Sequence, residues 1–128
     1  MQEADPRVGH HGMFVLRNVA PALLEQAAEV RKRLWSVAKD CRLNVVAETG
    51  HQFLPVGVTH VLVLSESHLS IHTYPETGRA YVDLFTCVVE FDMSEAVLAL
   101  KRHFGEVVAD KVADSTEGIQ VDMQSCYR

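Results

Sequence analysis

The sequence predicts an α+β fold, a two-layer α/β sandwich in which helices cover one face of a mainly antiparallel sheet. Short apolar stretches are separated by turn residues as in hairpins, and two longer stretches have apolar residues at helical spacing. The length of 128 residues and the 48% hydrophobic content suit a single domain. Because the helices leave the other face of the sheet open, we expect a second copy to cover it and form a four-layer dimer.

The first part of the chain predicts two strands around a long helix. An apolar stretch within residues 12–19 indicates the first strand. Pro21 suits the first position of a helix, and apolar residues then recur at helical spacing as far as residue 40. A second strand is expected at residues 43–47, and the Glu-Thr-Gly sequence of residues 48–50 is interpreted as its break.

The second part predicts hairpin strands, a helix and a short-stranded tail. Ser94 is a suitable N-cap for the helix. In the last long strand, alternation places Tyr81, Asp83, Phe85 and Cys87 on one side. The predicted elements are a buried strand at 58–64, a strand at 68–73, a turn at 75–78, a strand at 80–89, a helix at 94–104 and two short strands within 106–122.

Composition narrows the class of partner. The net charge of -5, from 12 basic and 17 acidic residues, argues against a nucleic-acid or anionic-membrane surface and favours a small molecule or another protein chain. No apolar run reaches the ~18 residues that a membrane span requires, and the first residues lack a signal-peptide pattern, so we expect a soluble cytoplasmic protein. The three cysteines, an odd number without CxxC spacing, predict neither a disulfide framework nor a zinc ribbon.

Three segments carry a family resemblance. Residues 64–76 read LSESHLSIHTYPE, residues 82–87 read VDLFTC, and residues 51–59 read HQFLPVGVT. Together they resemble the signature of the prokaryotic pyruvoyl-dependent S-adenosylmethionine decarboxylase proenzymes, closely over residues 51–87 and loosely on either side. The resemblance implies a lyase that makes decarboxylated S-adenosylmethionine, the aminopropyl donor for polyamines such as spermidine.

The resemblance implies that the proenzyme cuts itself between Glu66 and Ser67. The Ser67 hydroxyl would attack the preceding carbonyl, and elimination would give a β chain of residues 1–66 and an α chain of residues 67–128 within one domain. Ser67 would become the covalent pyruvoyl cofactor, which forms a Schiff base with the substrate amine and acts as an electron sink. His72 resembles the processing histidine, and Thr59 stands where the family usually has a supporting serine.

The resemblance also assigns residues to turnover and substrate binding. Cys87 resembles the proton donor of the decarboxylation, and a free thiol is mostly protonated at neutral pH, as a donor must be. Phe53 resembles the aromatic residue that stacks on adenine, and Glu76 resembles the carboxylate that accepts hydrogen bonds from the ribose. No separate cofactor or metal is implied.

Three positions depart from the family pattern and keep other readings open. Thr59 adds a methyl group to the usual serine, Tyr74 replaces a frequent tryptophan, and Arg17 lies in a strand where many members carry an acidic residue. A basic side chain near the site would disfavour a sulfonium cation. The alternatives are a pyruvoyl-dependent arginine or ornithine decarboxylase of the same fold, and an unprocessed homologue that binds or regulates without catalysis.

Other interpretations of the same residues are structural. His68, His72 and Cys87 suggest a metal site only weakly, because their spacing matches no common zinc motif. The remaining histidines are interpreted as surface or structural residues: His10, His11, His51, His60 and His103. Cys41 is interpreted as packing, and Cys126 has no assigned role. Strict alternation also puts Ser67 and His72 on opposite faces of their strand, so a bend would be needed to bring them together.

Overall fold

The computed structural model describes residues 9–88, 90–105 and, as backbone, 108–109. The sheet strands are β1 (His10–Arg17), β2 (Val45–Gln52), β3 (Val58–Leu64), β4 (Ser67–Tyr74), β5 (Arg79–Thr86) and β6 (Val108–Ala109). The helices are α1 (Ala27–Asp40) and α2 (Met93–Phe104), and 3₁₀ turns occur at Pro21–Leu23 and Pro75–Thr77. Among these described residues, no helix is both long and apolar enough to cross a membrane.

The strands form one antiparallel sheet in the order β2-β3-β4-β5-β1-β6. Hairpins connect β2, β3, β4 and β5 in sequence, whereas β1 pairs with β5 at the far side of this meander. The strand at 58–64 was predicted with its observed bounds. The predicted α+β class and the mainly antiparallel sheet are confirmed.

The hydrophobic core lies between one face of the sheet and the two helices. Alternate residues of β3, β4 and β5, such as Leu62, Ile71 and Val82, are buried there against Leu34 of α1 and Leu100 of α2. The other face of the sheet carries the intervening side chains, and none of the described residues forms a second layer over it. The fold of one chain is therefore a two-layer α/β sandwich.

The prediction that a helix begins at Pro21 was wrong. Residues Pro21–Leu23 form a separate 3₁₀ turn, and α1 begins only at Ala27. The side chain of Gln52 accounts for this start, because its oxygen accepts a hydrogen bond from the Ala27 N–H and its nitrogen donates to the carbonyl of Glu25 at 2.9 Å. A residue at the end of β2 thus caps the helix from a distance in sequence.

The predicted break after residue 47 was also wrong. β2 runs from Val45 to Gln52 and pairs with β3 throughout most of its length. Gly50 is needed there for close approach, not for a turn, because a Cβ at this position would lie 2.2 Å from Nδ1 of His60. The cross-strand hydrogen bonds with β3 offset the poor strand propensity of glycine.

Smaller differences concern element ends. The first strand begins at His10 and not at residue 12, and β5 ends at Thr86 before Cys87. The N-cap of α2 is Asp92, whose side chain accepts a hydrogen bond from the Ser94 N–H, so Ser94 is inside the helix and is not its cap. Of the two short strands predicted in the tail, only β6 falls within the described residues; the rest of that prediction, with Cys126, lies outside them.

Candidate active site

The predicted cleavage bond lies in the tight turn between β3 and β4. Leu64 pairs with Ser67, so Ser65 and Glu66 form the turn between them. Glu66 adopts a φ of 61°, in the left-handed region that non-glycine residues rarely occupy. The peptide bond that the sequence singled out is therefore exposed and begins in a strained conformation.

Cys87 contacts both sides of this bond. Its thiol donates a hydrogen bond to the carbonyl oxygen of Glu66 at 3.2 Å, and its backbone N–H donates to the hydroxyl of Ser67 at 3.0 Å. The register explains the contact, because His68 pairs with Phe85 and the chain leaving β5 passes beside the start of β4. The predicted nucleophile, the carbonyl that it would attack and the thiol are thus brought together.

A second cluster lies at the other end of the same strands. Thr59 and His72 are direct cross-strand partners, and the Thr59 hydroxyl lies 3.0 Å from Nδ1 of His72. Both line an open groove of about 460 Å³ together with Phe53 and Glu76. The structure therefore brings together four of the predicted site residues in one concave surface.

The turns on either side of the groove fix its binding residues. Phe53 follows β2, donates its N–H to the carbonyl of Gly57 at 2.7 Å, and is 48% exposed as a residue, with its ring edge-on to His51. Glu76 lies in the 3₁₀ turn after β4 and is exposed to solvent. Tyr74 also lines the groove and contacts Tyr81 edge to face, with ring centroids 5.4 Å apart. An exposed aromatic ring and an exposed carboxylate thus face the same space.

The two clusters do not meet within one chain. β4 continues without interruption from Ser67 to Tyr74, so five strand positions, roughly 16 Å, separate Ser67 from His72. No bend of β4 brings them together. One end of the sheet thus holds Glu66, Ser67 and Cys87, and the other end holds the groove residues.

Comparison with known proteins identifies the family of this chain. The family model described as S-adenosylmethionine decarboxylase matches residues 10–112. The chain belongs to the S-adenosylmethionine decarboxylase family. An S-adenosylmethionine decarboxylase proenzyme of Symbiobacterium thermophilum is 45% identical over 97 residues, which are 76% of this chain and 74% of the relative. One from Methanococcus aeolicus is 35% identical over 115 residues, 90% of this chain and 97% of the relative.

Structural comparison agrees with the sequence match. The crystal structure of the adenosylmethionine decarboxylase from Aquifex aeolicus aligns with a TM-score of 0.75 at 26% identity, covering 93% of this chain and 97% of that one. Membership in this decarboxylase family makes the chain a lyase by class. The matched range includes every residue of the cleavage turn and of the groove.

Sequence reasoning missed one polar network of this decarboxylase. On the open face of the sheet, Asp83 accepts hydrogen bonds from Nε2 of His11 and, at 3.1 Å, from Nε2 of His68. The bond with Asp83 raises the pKa of His68 against the opposing effect of its burial. Burial disfavours the charged form of Asp83, but the bonds from both imidazoles outweigh it and lower its pKa. His11 had been interpreted as a surface or structural residue, and Asp83 had no assigned role.

The residues considered for a metal site are divided between clusters. His68 contacts Asp83, His72 contacts Thr59, and Cys87 contacts the cleavage turn. Among the residues that the structure describes, no group of three or more His, Cys, Asp or Glu side chains is arranged so that it could hold a metal ion. The metal interpretation of His68, His72 and Cys87 therefore has no geometric basis in the chain.

The other residues that the sequence analysis named lie outside the cleavage turn and the groove. His60 lies 2.8 Å from the carboxylate of Glu48, and His103 lies 2.7 Å from that of Asp40. Cys41 is buried, and burial raises the pKa of its thiol to about 11. Arg17 is half-buried at the end of β1. Since its neighbour Leu16 faces the core, its side chain belongs to the open face of the sheet.

Proposed function

We propose that this chain is a self-processing, pyruvoyl-dependent S-adenosylmethionine decarboxylase, cut between Glu66 and Ser67 into an N-terminal chain of residues 1–66 and a C-terminal chain of residues 67–128. The observation that carries the proposal is the contact of Cys87 with both the Glu66 carbonyl and the Ser67 hydroxyl. The names of the proenzyme relatives support it.

Processing begins with attack of the Ser67 hydroxyl on the carbonyl carbon of Glu66. The thiol of Cys87 withdraws electron density from that carbonyl, and the left-handed conformation of Glu66 adds about 1–2 kcal/mol of strain that cleavage releases. The amide nitrogen leaves and the bond becomes an ester. Loss of the Ser67 α-proton then expels the Glu66 carboxylate, and hydrolysis of the resulting enamine consumes water, releases ammonia and leaves the pyruvoyl group.

The cut chains stay together through the sheet. The N-terminal chain contributes α1 with β1, β2 and β3, and the C-terminal chain contributes β4, β5 and α2. The β3–β4 and β1–β5 ladders both cross between the two chains, and the core is shared by helices of both. Cleavage of one exposed turn therefore leaves the hydrogen-bonded sheet and the buried core intact.

The residues at the cleavage turn also fit the decarboxylation step. The pyruvoyl group, once made, supplies an electron sink for the carbanion left by departing carbon dioxide. Cys87 lies beside the position of that group, and its thiol already donates a hydrogen bond to the Glu66 carbonyl there. We assign Cys87 the protonation of the substrate carbon after carbon dioxide has left.

The groove favours a nucleoside-bearing substrate over a simple basic amino acid. Phe53 offers an exposed ring for stacking, and Glu76 offers a carboxylate that can accept hydrogen bonds from two ribose hydroxyls. Arginine and ornithine carry no ring or ribose that would use these two groups together. Arg17 does not distinguish the two, because it would repel the sulfonium of S-adenosylmethionine as well as the cationic side chain of arginine or ornithine.

The separation of the two clusters supports a homo-oligomer of cleaved chain pairs. Ser67 and His72 lie at opposite ends of β4, so no single chain completes the site. If two copies stack their open sheet faces about a two-fold axis that runs perpendicular to the strands, the cleavage turn of one would lie beside the groove of the other, twice. Thr59 and His72 would then assist processing of the partner chain.

Release of carbon dioxide tests the function. The purified protein is incubated with carboxyl-labelled S-adenosylmethionine, arginine or ornithine, with Ser67→Ala as the matched control. We expect release from S-adenosylmethionine alone, and none from the Ser67→Ala protein. Release from arginine or ornithine instead establishes the alternative decarboxylase, and absence of release from all three supports the non-enzymatic homologue.

A further inference from the structure

The network of His11, Asp83 and His68 lies on the open face next to the cleavage turn, and the site described above does not use it. One carboxylate receives two imidazoles, each through Nε2 and each on a different oxygen. The ring of Phe85 lies between the two imidazoles, stacked on His68 with centroids 6.3 Å apart and edge-on to His11 at 5.9 Å. The three strands β4, β5 and β1 each contribute to this cluster.

One member of the network, His68, lies next to the proposed cleavage site in the chain. His68 directly follows Ser67, so its backbone nitrogen would carry the pyruvoyl group after cleavage. The cut removes the covalent support on the other side of Ser67, and new chain ends fray unless they are tied down. The imidazole of His68 is the first side chain behind the new end, and Asp83 on the next strand holds it.

The same carboxylate also joins the two cleaved chains. His11 belongs to the N-terminal chain, whereas Asp83 and His68 belong to the C-terminal chain. His11 is more buried than its partners, with 16% of its side chain exposed against 39% for Asp83 and 42% for His68. The buried imidazole thus fixes Asp83 on one side, and Asp83 fixes the more exposed His68 on the other.

We propose that Asp83 is a positioning residue that, by binding His68 and His11 together, holds the pyruvoyl-bearing end of the C-terminal chain beside Cys87 after cleavage. This inference rests on the proposed self-processing. Asp83 touches neither the substrate groove nor the cleavage bond, since its described contacts are the two imidazoles. It acts on turnover through the backbone of His68.

The test compares Asp83→Asn and His68→Gln with Asp40→Asn, in the processed protein. Asp40 is a matched control because it also accepts a bond from a histidine, His103, but lies between the helices on the other side of the sheet. Three quantities are measured: the cleaved fraction by mass spectrometry, hydrogen exchange of the peptide that begins the C-terminal chain, and kcat with KM.

We expect both test variants to cleave, because the contacts among Glu66, Ser67 and Cys87 do not include Asp83. Exchange at the start of the C-terminal chain rises about 10-fold while exchange in the helices stays unchanged. The value of kcat falls by about 10- to 100-fold, as expected when a reacting group is misplaced by about 1 Å. KM stays within about 3-fold, because neither Asp83 nor His68 lines the groove, and Asp40→Asn behaves as wild type.

The double variant His68→Gln with Asp83→Asn sharpens the test. The effects of substituting two residues that act through one contact are not additive, so kcat of the double variant should be no lower than that of the slower single variant. Three results would each overturn the proposal. The losses of kcat could be additive in the double variant, the single variants could leave kcat and exchange unchanged, or exchange could rise equally in the helices. If the wild type itself stays uncut, the proposed function fails first, which is seen before any variant is compared.

Discussion

The two ends of the sheet hold their polar groups in different ways. At the cleavage end, the contacts of Cys87 involve backbone groups: its own N–H and the carbonyl of Glu66. At the groove end, exposed side chains face open space, and the bond between Thr59 and His72 joins two side chains. The end proposed for cleavage is therefore held in part by backbone groups of the chain itself, whereas the groove end presents side chains that another molecule can contact.

The largest effect expected at the cleavage end is that of Ser67→Ala. Without the hydroxyl there is no nucleophile for the ester step and no precursor for the pyruvoyl group, so cleavage and carbon dioxide release are both abolished. Denaturing electrophoresis and the carbon dioxide assay measure the two losses. A Ser67→Ala protein that still releases carbon dioxide would contradict the role given to this end of the sheet, because decarboxylation would then not require Ser67.

Coexpression tests whether the two ends meet in an assembly. His72→Ala expressed alone should process poorly, because each site of its dimer lacks the imidazole. Coexpression with Ser67→Ala supplies an intact His72 from the partner, so the His72→Ala chain should then be cut. Mass spectrometry identifies which chain is cleaved. Failure of the Ser67→Ala partner to restore cleavage would contradict the proposed stacking of two open faces.

Removal of the thiol should separate processing from turnover. We expect Cys87→Ala to cleave, more slowly, and to lose about 10²- to 10⁴-fold in kcat, the range for a general acid or base. Cys41→Ala is the matched control, because that thiol is buried on the helix side of the sheet and should leave kcat unchanged. Equal effects of the two substitutions on kcat would argue against a donor role for Cys87.

At the groove end, substitution should affect binding and not processing. Glu76→Gln removes a charged acceptor, and hydrogen bonds to charged groups contribute about 1.5–3 kcal/mol, so KM should rise roughly 10- to 100-fold. Cleavage should remain complete. The control is Glu95→Gln, an exposed glutamate of α2 on the opposite side of the sheet. A Glu76→Gln protein whose KM for S-adenosylmethionine is unchanged would argue against the assignment of Glu76 to a ribose.

The smallest effect concerns stability away from both ends. Hydrogen bonds from Arg31, Trp35 and His60 lower the pKa of Glu48 from an ordinary 4.5 to about 2. Ionised Glu48 therefore stabilises the folded state above pH 4.5, and this stabilisation is lost as the pH falls toward 2. In an uncut Ser67→Ala background, Glu48→Gln should melt a few degrees lower at neutral pH, and the difference should shrink in acid. A difference in melting temperature between the two proteins that does not change with pH would contradict this role of Glu48.

Sequence patterns predicted the elements that depend on local periodicity and missed those fixed by distant contacts. The strand Val58–Leu64 follows from its own apolar run. The start of α1 does not, because Gln52 caps it from the end of β2, and the strand through Gly50 exists because β3 pairs with it. Local residues give no sign of either contact.

For the candidate site, too, the sequence predicted individual residues but not the contacts between distant segments. The resemblance predicted roles for Ser67, Cys87 and the groove residues, which stay predictions, but it did not predict their division between two ends, which depends on strand register. The Asp83 network was also missed, although the alternation noted for Asp83 and His68 puts each on one face of its strand. Pairing of β1 with β5, a contact between distant segments, was needed to bring His11 to the same carboxylate.

The intact mass of freshly purified wild-type protein under denaturing conditions tests the central claim most directly. Our account predicts two chains, one ending at Glu66 and the other beginning with a pyruvoyl group in place of Ser67, and therefore without a free amino terminus. A single chain with the mass of all 128 residues would contradict it.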